Sequence, residues 1–280
     1  MIAKLGTNNI RQIRVGNTAA KVSSIFDELD DDAERFIIAA NIDNPTIITA
    51  INNLVLGMKA DNVWDKMGVV YPFVNGTEAS CQLNLKDPTQ YPIEFQGSWT
   101  FSADGVNSSD ANSDIGIIPL VLDDVVGFNA GYWGMGIYSR TNSQDGYDLC
   151  ALWIDDPSPR QQNVVITRFT DNKFYFGLPL AGGTWSVVNT DSRGFFQTNK
   201  SSGIVRAHKN GSLVFSALEP LANSPNQVIG LGNLPVITDK NPSGKQYAFC
   251  YVAVEGLQDA EAQALYATVQ SFQTELGRNV

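Results

Sequence analysis

Adjacent carboxylates are the first residues in this sequence that could do chemistry. Asp123-Asp124 and Asp155-Asp156 each place two acids side by side. Sugar-cleaving β-sandwich enzymes need an acid and a base that face one cleft, so their carboxylates alternate along a strand. Adjacent residues of a strand point to opposite faces, and both pairs adjoin turn-like sequence, which favours solvated loops. The sequence therefore predicts no catalytic residue among these acids.

Nucleophiles and soft metal ligands are scarce. His208 is the single histidine, and Cys81, Cys150 and Cys250 are far apart and odd in number. This number and spacing fit neither a zinc site nor a disulfide framework, and they favour buried thiols. The chain also lacks a Gly-x-Ser-x-Gly elbow, the turn that exposes a serine nucleophile. We therefore predict that the protein is not an enzyme and needs no cofactor.

One loop has the alternating oxygen ligands of a calcium site. Asp110, Asn112 and Asp114 occupy alternate positions of a long polar loop. Ile115 stands where a calcium loop needs the glycine of its sharp turn, and Val121 stands where the bidentate glutamate belongs. A solvated turn is the favoured interpretation and no metal ligand is assigned, with a weak calcium site left open as the alternative.

Aromatic side chains are the remaining candidates, because sugar-binding proteins lay aromatic rings against the faces of sugar rings. Most rings in a β-rich protein belong to its core. Trp153, which precedes Asp-Asp-Pro, and Trp185, which follows Ala-Gly-Gly, adjoin turn sequence and are the better surface candidates. Arg140 and Asn142 would supply a guanidinium and an amide for sugar hydroxyls. These four residues are the predicted carbohydrate-binding residues.

Charge and hydropathy exclude several classes of partner. The 280 residues include 19 Lys and Arg against 29 Asp and Glu, which gives a formal net charge of −10. An acidic chain without a cluster of basic residues is poorly suited to the phosphate backbone, so we predict no nucleic-acid partner. No run of apolar residues is long enough to span a bilayer, and the N-terminus lacks the apolar core of a signal peptide, so we predict no membrane partner.

A recurrent strand pattern runs from about residue 73 to residue 256. Ten short runs rich in β-branched and aromatic residues alternate with clusters of Gly, Asn, Asp, Ser and Pro. Residues 95–101, 131–139 and 247–254 are examples, and Asn210-Gly211 is a strong hairpin-turn signal. Many short strands with turns between them predict a β-sandwich.

The sequence before this region changes its character twice. Residues 1–28 contain short extended pieces around a Gly-Asn turn and are too short to bury their own apolar side chains. The acids that follow favour a solvated linker that begins a helix. Asn44 and Pro45 then signal the start of a second helix, whose apolar stripe must dock on a neighbour.

A further helix closes the chain. Asp259 begins a helical pattern that Gly277 ends. The predicted organisation therefore has three parts: an attachment segment at residues 1–28, a helical stem or docking region at 29–72, and a β-sandwich at 73–280 that ends in a helix at 257–277.

Several stretches of the sequence resemble a known family. VRAHKNGSLVF from Val205, the segment LGNLPVI and YAFCYVAVEGLQDAEAQALYATVQSFQTELGRNV together resemble one module. It is similar to the concanavalin-like lectin/glucanase jelly-roll domain in structural proteins of tailed phages and prophages of gut Bacteroides-type bacteria. DNPTIITAINNLVLGMKADNVWDKMGVVYPFVNGTEASCQLNLKDP from Asp43 resembles the helical lead-in of those proteins. Residues 138–142 resemble a strand of their sandwich, and the opening IRQIRVGNT resembles short β-repeats at the attachment ends of phage fibre and tail proteins.

The resemblance implies a fold, a location and partners. The fold would be mainly β: a concanavalin-like jelly-roll β-sandwich with an N-terminal β/helical attachment region and a C-terminal helix. The location would be the virion, as a head fibre, capsid decoration or tail component made in the bacterial host cytoplasm. The partners would be other virion proteins through the N-terminal region, sister copies in a homo-oligomer such as a trimer, and host-surface glycans. No enzymatic activity comes with the resemblance.

Two other functions fit the same residues. One is a free-standing carbohydrate-binding module, which would bind glycans without belonging to a virion. The other, less favoured, is a glycan-cleaving enzyme, which would need the carboxylate arrangement that the sequence lacks.

Overall fold

The computed structural model describes residues 29–109, 113–126, 128–129, 131–154, 160–177, 185–218, 225–235 and 242–280. The predicted attachment segment at residues 1–28 lies outside these ranges. Asp110 and Asn112 of the predicted calcium loop also lie outside them, as does the acid pair at residues 155–156.

Short antiparallel strands form the first of two sheets. Its strands are β1 (Met67–Tyr71), β3 (Trp99–Ser102), β4 (Gly105–Ser108), β6 (Trp133–Ser139), β11 (Gly194–Ser201), β12 (Ile204–Lys209), β13 (Ser212–Leu218) and β15 (Gln246–Ala253). The order in this eight-stranded sheet is β13-β12-β11-β6-β15-β4-β3. β1 pairs with the second half of β15, beyond the residues that pair with β4.

The second sheet has seven strands. They are β2 (Glu94–Gln96), β5 (Ile115–Ile118), β7 (Leu149–Ile154), β8 (Arg160–Ile166), β9 (Lys173–Gly177), β10 (Trp185–Val188) and β14 (Ile229–Leu231). Their order is β10-β9-β8-β7-β14-β5-β2, and each pair of neighbours is antiparallel. Two antiparallel sheets of short strands confirm the predicted β-sandwich.

The sequence pattern predicted one strand at residues 95–101, and the structure shows that this prediction is wrong. The run is divided between β2 in the seven-stranded sheet and β3 in the eight-stranded sheet. Gly97 has a φ of +89° at the division, a backbone conformation that glycine adopts readily. The backbone N–H of Ser98 donates to the Asp114 carboxylate at 2.7 Å, so a distant acid fixes the turn.

The main core lies between the two sheets and contains large rings from both. Trp133 of β6 and Phe174 of β9 are buried in it. On β15 the register shifts between Tyr247 and Phe249. As a result Tyr247 packs in the core between the sheets, whereas Phe249 packs in a second core on the outer face of the eight-stranded sheet.

Helices cover that outer face. They are α1 (Asp31–Ala39), α2 (Pro45–Ala60) and α4 (Asp259–Glu275), and the short α3 (Glu78–Cys81) follows β1. The Asn44 side chain caps α2 by accepting a hydrogen bond from the backbone N–H of Thr46 at 2.9 Å, which confirms the predicted helix start. The predicted C-terminal helix is present as α4. Of the helices that the structure describes, none is both long enough and apolar enough to span a membrane.

The region at residues 29–72, predicted as a stem or docking region, packs against the sandwich. It contains α1, α2 and β1, and the apolar faces of its helices share one core with α4 and with β6, β11 and β15. β1 belongs to the eight-stranded sheet through its pairing with β15. Helices from before and after the strand region therefore seal the same face of one sheet.

Candidate functional site

Two of the predicted carbohydrate-binding residues bind other parts of the protein. Arg140 follows β6, and its guanidinium pairs with the Asp104 carboxylate at 2.5 Å. Asn142 is exposed, and its side-chain oxygen accepts hydrogen bonds from Arg168 Nη1 at 2.8 Å and from the backbone N–H of Ser192 at 3.1 Å. Both side chains therefore tie loops together.

The two predicted tryptophans lie in the seven-stranded sheet. Trp185 is half-buried in β10, and its ring packs against Phe215 of the other sheet with 5.2 Å between ring centroids. Trp153 lies in β7, and its side chain is outside the described part of the chain. The three described side chains thus contact three different sets of neighbours, one each for Arg140, Asn142 and Trp185. The role of these residues in binding sugar stays a prediction.

The histidine and the three cysteines are buried. His208 is fully buried with its Nε2 at 3.1 Å from Asp259 Oδ1, and burial lowers its pKa. Burial raises the pKa of the Cys81 thiol to about 12 and that of Cys250 well above its usual value. Thiols with such pKa values stay protonated at neutral pH and are poor nucleophiles.

The described acids do not form a metal centre. Asp123 and Asp124 lie in a 3₁₀ turn and are exposed, in agreement with their interpretation as solvated loop acids. Within the described ranges, no three side chains of His, Cys, Asp or Glu converge as metal ligands.

Asp114, the described acid of the predicted calcium loop, is fully buried. Its second carboxylate oxygen accepts hydrogen bonds from the backbone N–H of Ser109 at 2.7 Å and from the Ser109 hydroxyl at 2.5 Å. Together with the bond from Ser98, these contacts let the carboxylate close its loop through protein donors, so the solvated-turn prediction is wrong for Asp114, which is a buried structural acid.

One surface cleft combines aromatic, amide and carboxylate groups. It lies where the loop before β6 meets the end of β15 and the 3₁₀ turn Trp64–Lys66, and its volume is about 330 Å³. We call it the Tyr132 cleft. Its lining includes Asp65, Val126, Phe128, Asn129, Tyr132 and Glu255.

Hydrogen bonds fix the wall that carries the aromatic rings. The backbone N–H of Phe128 donates to Val125 O at 2.9 Å, and that of Tyr132 donates to Asn129 O at 2.8 Å. The Asn129 side-chain oxygen also accepts from the backbone N–H of Gly131 at 2.8 Å. Successive turns therefore hold both rings and the amide on the cleft wall before any ligand arrives.

The part of the lining that Asp65 and Glu255 form carries charge. The backbone N–H groups of Val254 and Glu255 donate to Lys66 O at 2.9 and 3.3 Å. The Lys66 ammonium pairs with Glu255 at 3.1 Å and with Glu261 at 2.7 Å. Burial opposes the charge, but the hydrogen bonds to Glu261 and Glu255 raise the pKa of Lys66, so it stays protonated at neutral pH. Asp65 is exposed beside it.

The Tyr132 cleft offers the contacts that a sugar ring needs. Tyr132 is 38% exposed, and an aromatic ring can pack against the C–H face of a sugar. The Asn129 amide is a hydrogen-bond donor, and the carboxylates of Asp65 and Glu255 are acceptors. Sugar hydroxyls both donate and accept, so they can use either kind of group.

A second cleft, of about 410 Å³, shares Asp65 with the first but has a different character. Its charged groups bind each other, since Lys59 Nζ pairs with Asp32 at 2.6 Å and Trp64 Nε1 donates to Asp32 at 3.1 Å. Trp64 is only 4% exposed, so its ring is not open to a ligand. These contacts join α1 to the end of α2 and explain the cluster as structural.

The residues of the Tyr132 cleft were not among the sequence candidates. The signal that could have found one wall is FNAGY at residues 128–132, where two aromatic residues flank the sequence Asn-Ala-Gly. Asp65 and Glu255 carry no local signal, because they come from distant parts of the chain that the β1–β15 pairing brings together.

Comparison with solved structures identifies the fold. Domain 4 of AbnA, a GH43 extracellular arabinanase from Geobacillus stearothermophilus, in complex with arabinotriose, has a TM-score of 0.51 and 12% identity over 71% of this chain and 98% of that one. The binding domain of botulinum neurotoxin DC in complex with SialylT has a TM-score of 0.50 and 10% identity over 74% of this chain and 52% of that one. The protein is a jelly-roll β-sandwich. Identities this low concern the fold alone.

The jelly roll confirms the fold class predicted from the sequence, with its two antiparallel sheets and its C-terminal helix. The chain matches only about half of the toxin binding domain, 52% of its length. No family model matches the sequence, and no curated protein matches it. The resemblance to phage structural proteins therefore stays a prediction.

Proposed function

We propose that this jelly roll binds neutral glycans through the Tyr132 cleft. The proposal rests on one observation: a single cleft contains an exposed aromatic ring, an amide and two carboxylates. Tyr132 supplies the ring, Asn129 the amide, and Asp65 and Glu255 the carboxylates. Ligand sites commonly combine apolar contact with a few convergent polar groups. Here the hydrogen bonds that the Asn129 backbone and side chain accept hold the aromatic wall in place, which reduces the conformational entropy lost on binding.

The two solved structures support sugar binding in general, and the arabinanase domain supports a neutral sugar. The arabinanase domain was obtained with arabinotriose, and the toxin binding domain was obtained with SialylT. A jelly roll is therefore a suitable scaffold for sugar binding, although no residue transfers at this identity.

Charge narrows the class of glycan. The chain has a net charge of −10, and the cleft adds the carboxylates of Asp65 and Glu255. Lys66 already pairs with Glu255 and Glu261 and so leaves little positive potential for an anion. Sialylated and uronic-acid glycans would meet repulsion, so neutral hexoses and pentoses should bind better.

We propose binding without cleavage. The support is the sequence, which lacks the carboxylates alternating on one strand that sugar-cleaving β-sandwich enzymes use. Incubation of the protein with each glycan that it binds should release no new reducing ends. Sustained release at catalytic protein concentrations would contradict this part of the proposal.

We also propose that the protein belongs to a bacteriophage virion, as a head fibre, capsid decoration or tail component, and that the bound glycans lie on the host surface. The support is the sequence resemblance, in which residues 1–28 would attach to other virion proteins. Mass spectrometry of purified particles should detect the chain in a fixed ratio to the major capsid protein. Absence of the chain from particles would favour the alternative function, a free-standing carbohydrate-binding module.

The cleft is tested by glycan-array screening followed by titration calorimetry with the best neutral ligand. Tyr132→Ala should weaken binding about tenfold or more, because the packing of an aromatic ring contributes roughly 1 kcal/mol beyond its area. Tyr132→Phe keeps the ring and should stay within about threefold of the wild type, on the same reasoning. Thermal unfolding should be nearly unchanged in both variants, since Tyr132 is partly exposed.

Trp185→Ala is the matched control, because it removes the aromatic residue that the sequence selected. It should leave the affinity unchanged if the Tyr132 cleft is the site. Loss of binding in Trp185→Ala with full binding in Tyr132→Ala would move the site to β10. Absence of binding to any glycan on the array would contradict the proposed function itself.

A further inference from the structure

Each sheet has an edge strand at the same end of the sandwich. β13 is the last strand of the eight-stranded sheet, and β10 is the last strand of the seven-stranded sheet. The two strands lie close together, because the Phe215 ring of β13 is 5.2 Å from Trp185 of β10 and 5.0 Å from Phe176 of β9, measured between ring centroids.

Apolar side chains are exposed along these two strands. The exposed fractions are 78% for Val188, 44% for Leu213, 37% for Val214 and 81% for Leu218. We call these four side chains the edge patch. Scattered exposed leucines are ordinary, but three of these four side chains lie on the single edge strand β13, and Val188 lies on the edge strand of the other sheet.

β13 lacks two of the usual protections of an edge strand, although it has a β-bulge near the turn. Its sequence, SLVFSAL, contains no charged residue and no proline, the features by which natural proteins prevent edge-to-edge pairing. The pairing of β12 with β13 shifts register near the turn, at Ala207/His208, and is regular from Phe215 to Leu218. In the part of the chain that the structure describes, β13 pairs with β12 alone, so the backbone groups of its other edge are open to another strand.

Among the described residues, the core between the sheets is only partly covered at this end. Trp185, Val187 and Phe215 pack against the core and remain only partly buried. A strand added beside β13 would extend the eight-stranded sheet and cover this end of the core. A partner with the same pair of edge strands would cover it in both layers.

We propose that the edge patch binds a second copy of this chain, with β13 antiparallel to β13 of the partner about a twofold axis. Two chains of net charge −10 repel each other over most of their surfaces, so a strand without charge is where they can approach. In a pairing centred on Ser216, within the regular part of β13, Phe215 lies opposite the partner's Ala217. Every cross-strand pair is then neutral, and one patch serves both copies, as a twofold interface requires.

The test is sedimentation velocity of the full chain over a wide concentration range, with the double variant Val214→Lys/Leu218→Lys. The wild type should have twice the mass of the double variant at high concentration, because like charges placed on both sides of the interface repel. Contacts elsewhere, such as a trimer through the N-terminal region, would change both masses but not this twofold ratio. Leu56→Lys is the matched control, since Leu56 is 46% exposed on α2 and lies outside the patch.

Hydrogen exchange of the β13 amides gives a second readout that needs no variant. Exchange at residues 212–218 should slow as the wild-type concentration rises and should be fast in the double variant. Equal masses for the folded wild type and the folded double variant would overturn the proposal. Protection that does not depend on concentration would also overturn it, because the edge would then be covered within one chain.

Discussion

Asp148 and Lys245 form an ion pair in which neither side chain is exposed, whereas Leu218 and Val188 of the edge patch are 81% and 78% exposed. The first region places charge where apolar groups are normal, and the second places apolar groups where charge is normal. The two regions differ in whether the chain itself supplies the groups that contact these side chains.

Around Asp148 the chain supplies every partner. The carboxylate accepts hydrogen bonds from the Tyr247 hydroxyl at 2.7 Å, the Ser243 hydroxyl at 2.9 Å and the backbone N–H of Thr167 at 2.6 Å, and Lys245 Nζ lies 3.2 Å away. Charges that are buried together with several hydrogen bonds can be accommodated in a core. The interior is thus complete within one molecule, while the edge patch is complete only when a second surface covers it.

Removal of the Asp148 carboxylate should have the largest effect on folding. Asp148→Ala leaves the Lys245 ammonium buried without a counterion and removes an acceptor from Tyr247 and Ser243. We expect the free energy of unfolding, measured by urea denaturation of the monomer at low concentration, to fall by about 3–5 kcal/mol. Asp104→Ala is the control, because the Asp104 side chain is 56% exposed and loss of its pair with Arg140 should cost no more than about 1 kcal/mol. Equal losses in the two variants would mean that the buried pair is no more important than a surface pair.

Arg278 tests the second buried charge. Its guanidinium donates to the backbone oxygens of Phe73 at 2.8 Å, Ala248 at 3.1 Å and Pro72 at 3.2 Å, and so joins the end of α4 to the sandwich. Burial lowers the pKa of Arg278 to about 9, and the group is still charged at neutral pH. Arg278→Met keeps most of the volume but leaves these acceptors unsatisfied, at a cost of about 2–3 kcal/mol in the same assay. A stability equal to that of the wild type would show that water replaces the guanidinium.

His208 gives the interior a pH dependence. Burial lowers its pKa, the Asp259 carboxylate opposes this effect, and the Arg206 guanidinium adds to it. Because the folded pKa lies below the unfolded value of 6.5, the unfolded chain binds the proton first, and stability is lost as the pH falls below that value. The loss is about 1.4 kcal/mol for each unit by which the pKa is lowered. Unfolding of the wild type and of His208→Gln between pH 7.5 and 5.5 should show the steeper decline in the wild type, and parallel curves would contradict the assignment.

Local signals in the sequence were sufficient for many elements of the fold. Asn44 and Pro45 locate the start of α2, since a cap depends on the residues beside it. Asn210-Gly211 locates the β12–β13 hairpin, and both residues have the positive φ that such a turn requires, +49° and +73°. The division of residues 95–101 between two sheets could not be predicted, because it depends on Asp114 reaching Ser98 from another strand.

The candidate site depends even more on tertiary structure. The sequence selected Trp153 and Trp185 from their neighbouring turns, but a turn does not reveal which rings another sheet will cover, and Trp185 packs on Phe215. The Tyr132 cleft needs Glu255 beside Tyr132, and no spacing along the chain connects these residues. Only the sheet order relates them, so sequence could indicate a class of ligand but not the residues that bind it.

The smallest expected effect on folding comes from the edge patch, and its dependence on concentration makes it informative. Leu218→Ser should change the unfolding free energy of the dilute monomer by less than about 0.5 kcal/mol, because Leu218 is 81% exposed. If two copies cover the patch, the Tm of the wild type should rise with protein concentration, since association stabilises the folded state by mass action. The Tm of Leu218→Ser should rise less, and that of Leu56→Ser should rise as much as in the wild type. A wild-type Tm that does not depend on concentration would show that the exposed leucines and valines are ordinary surface residues. The edge patch and the Asp148 region would then differ in burial and not in assembly.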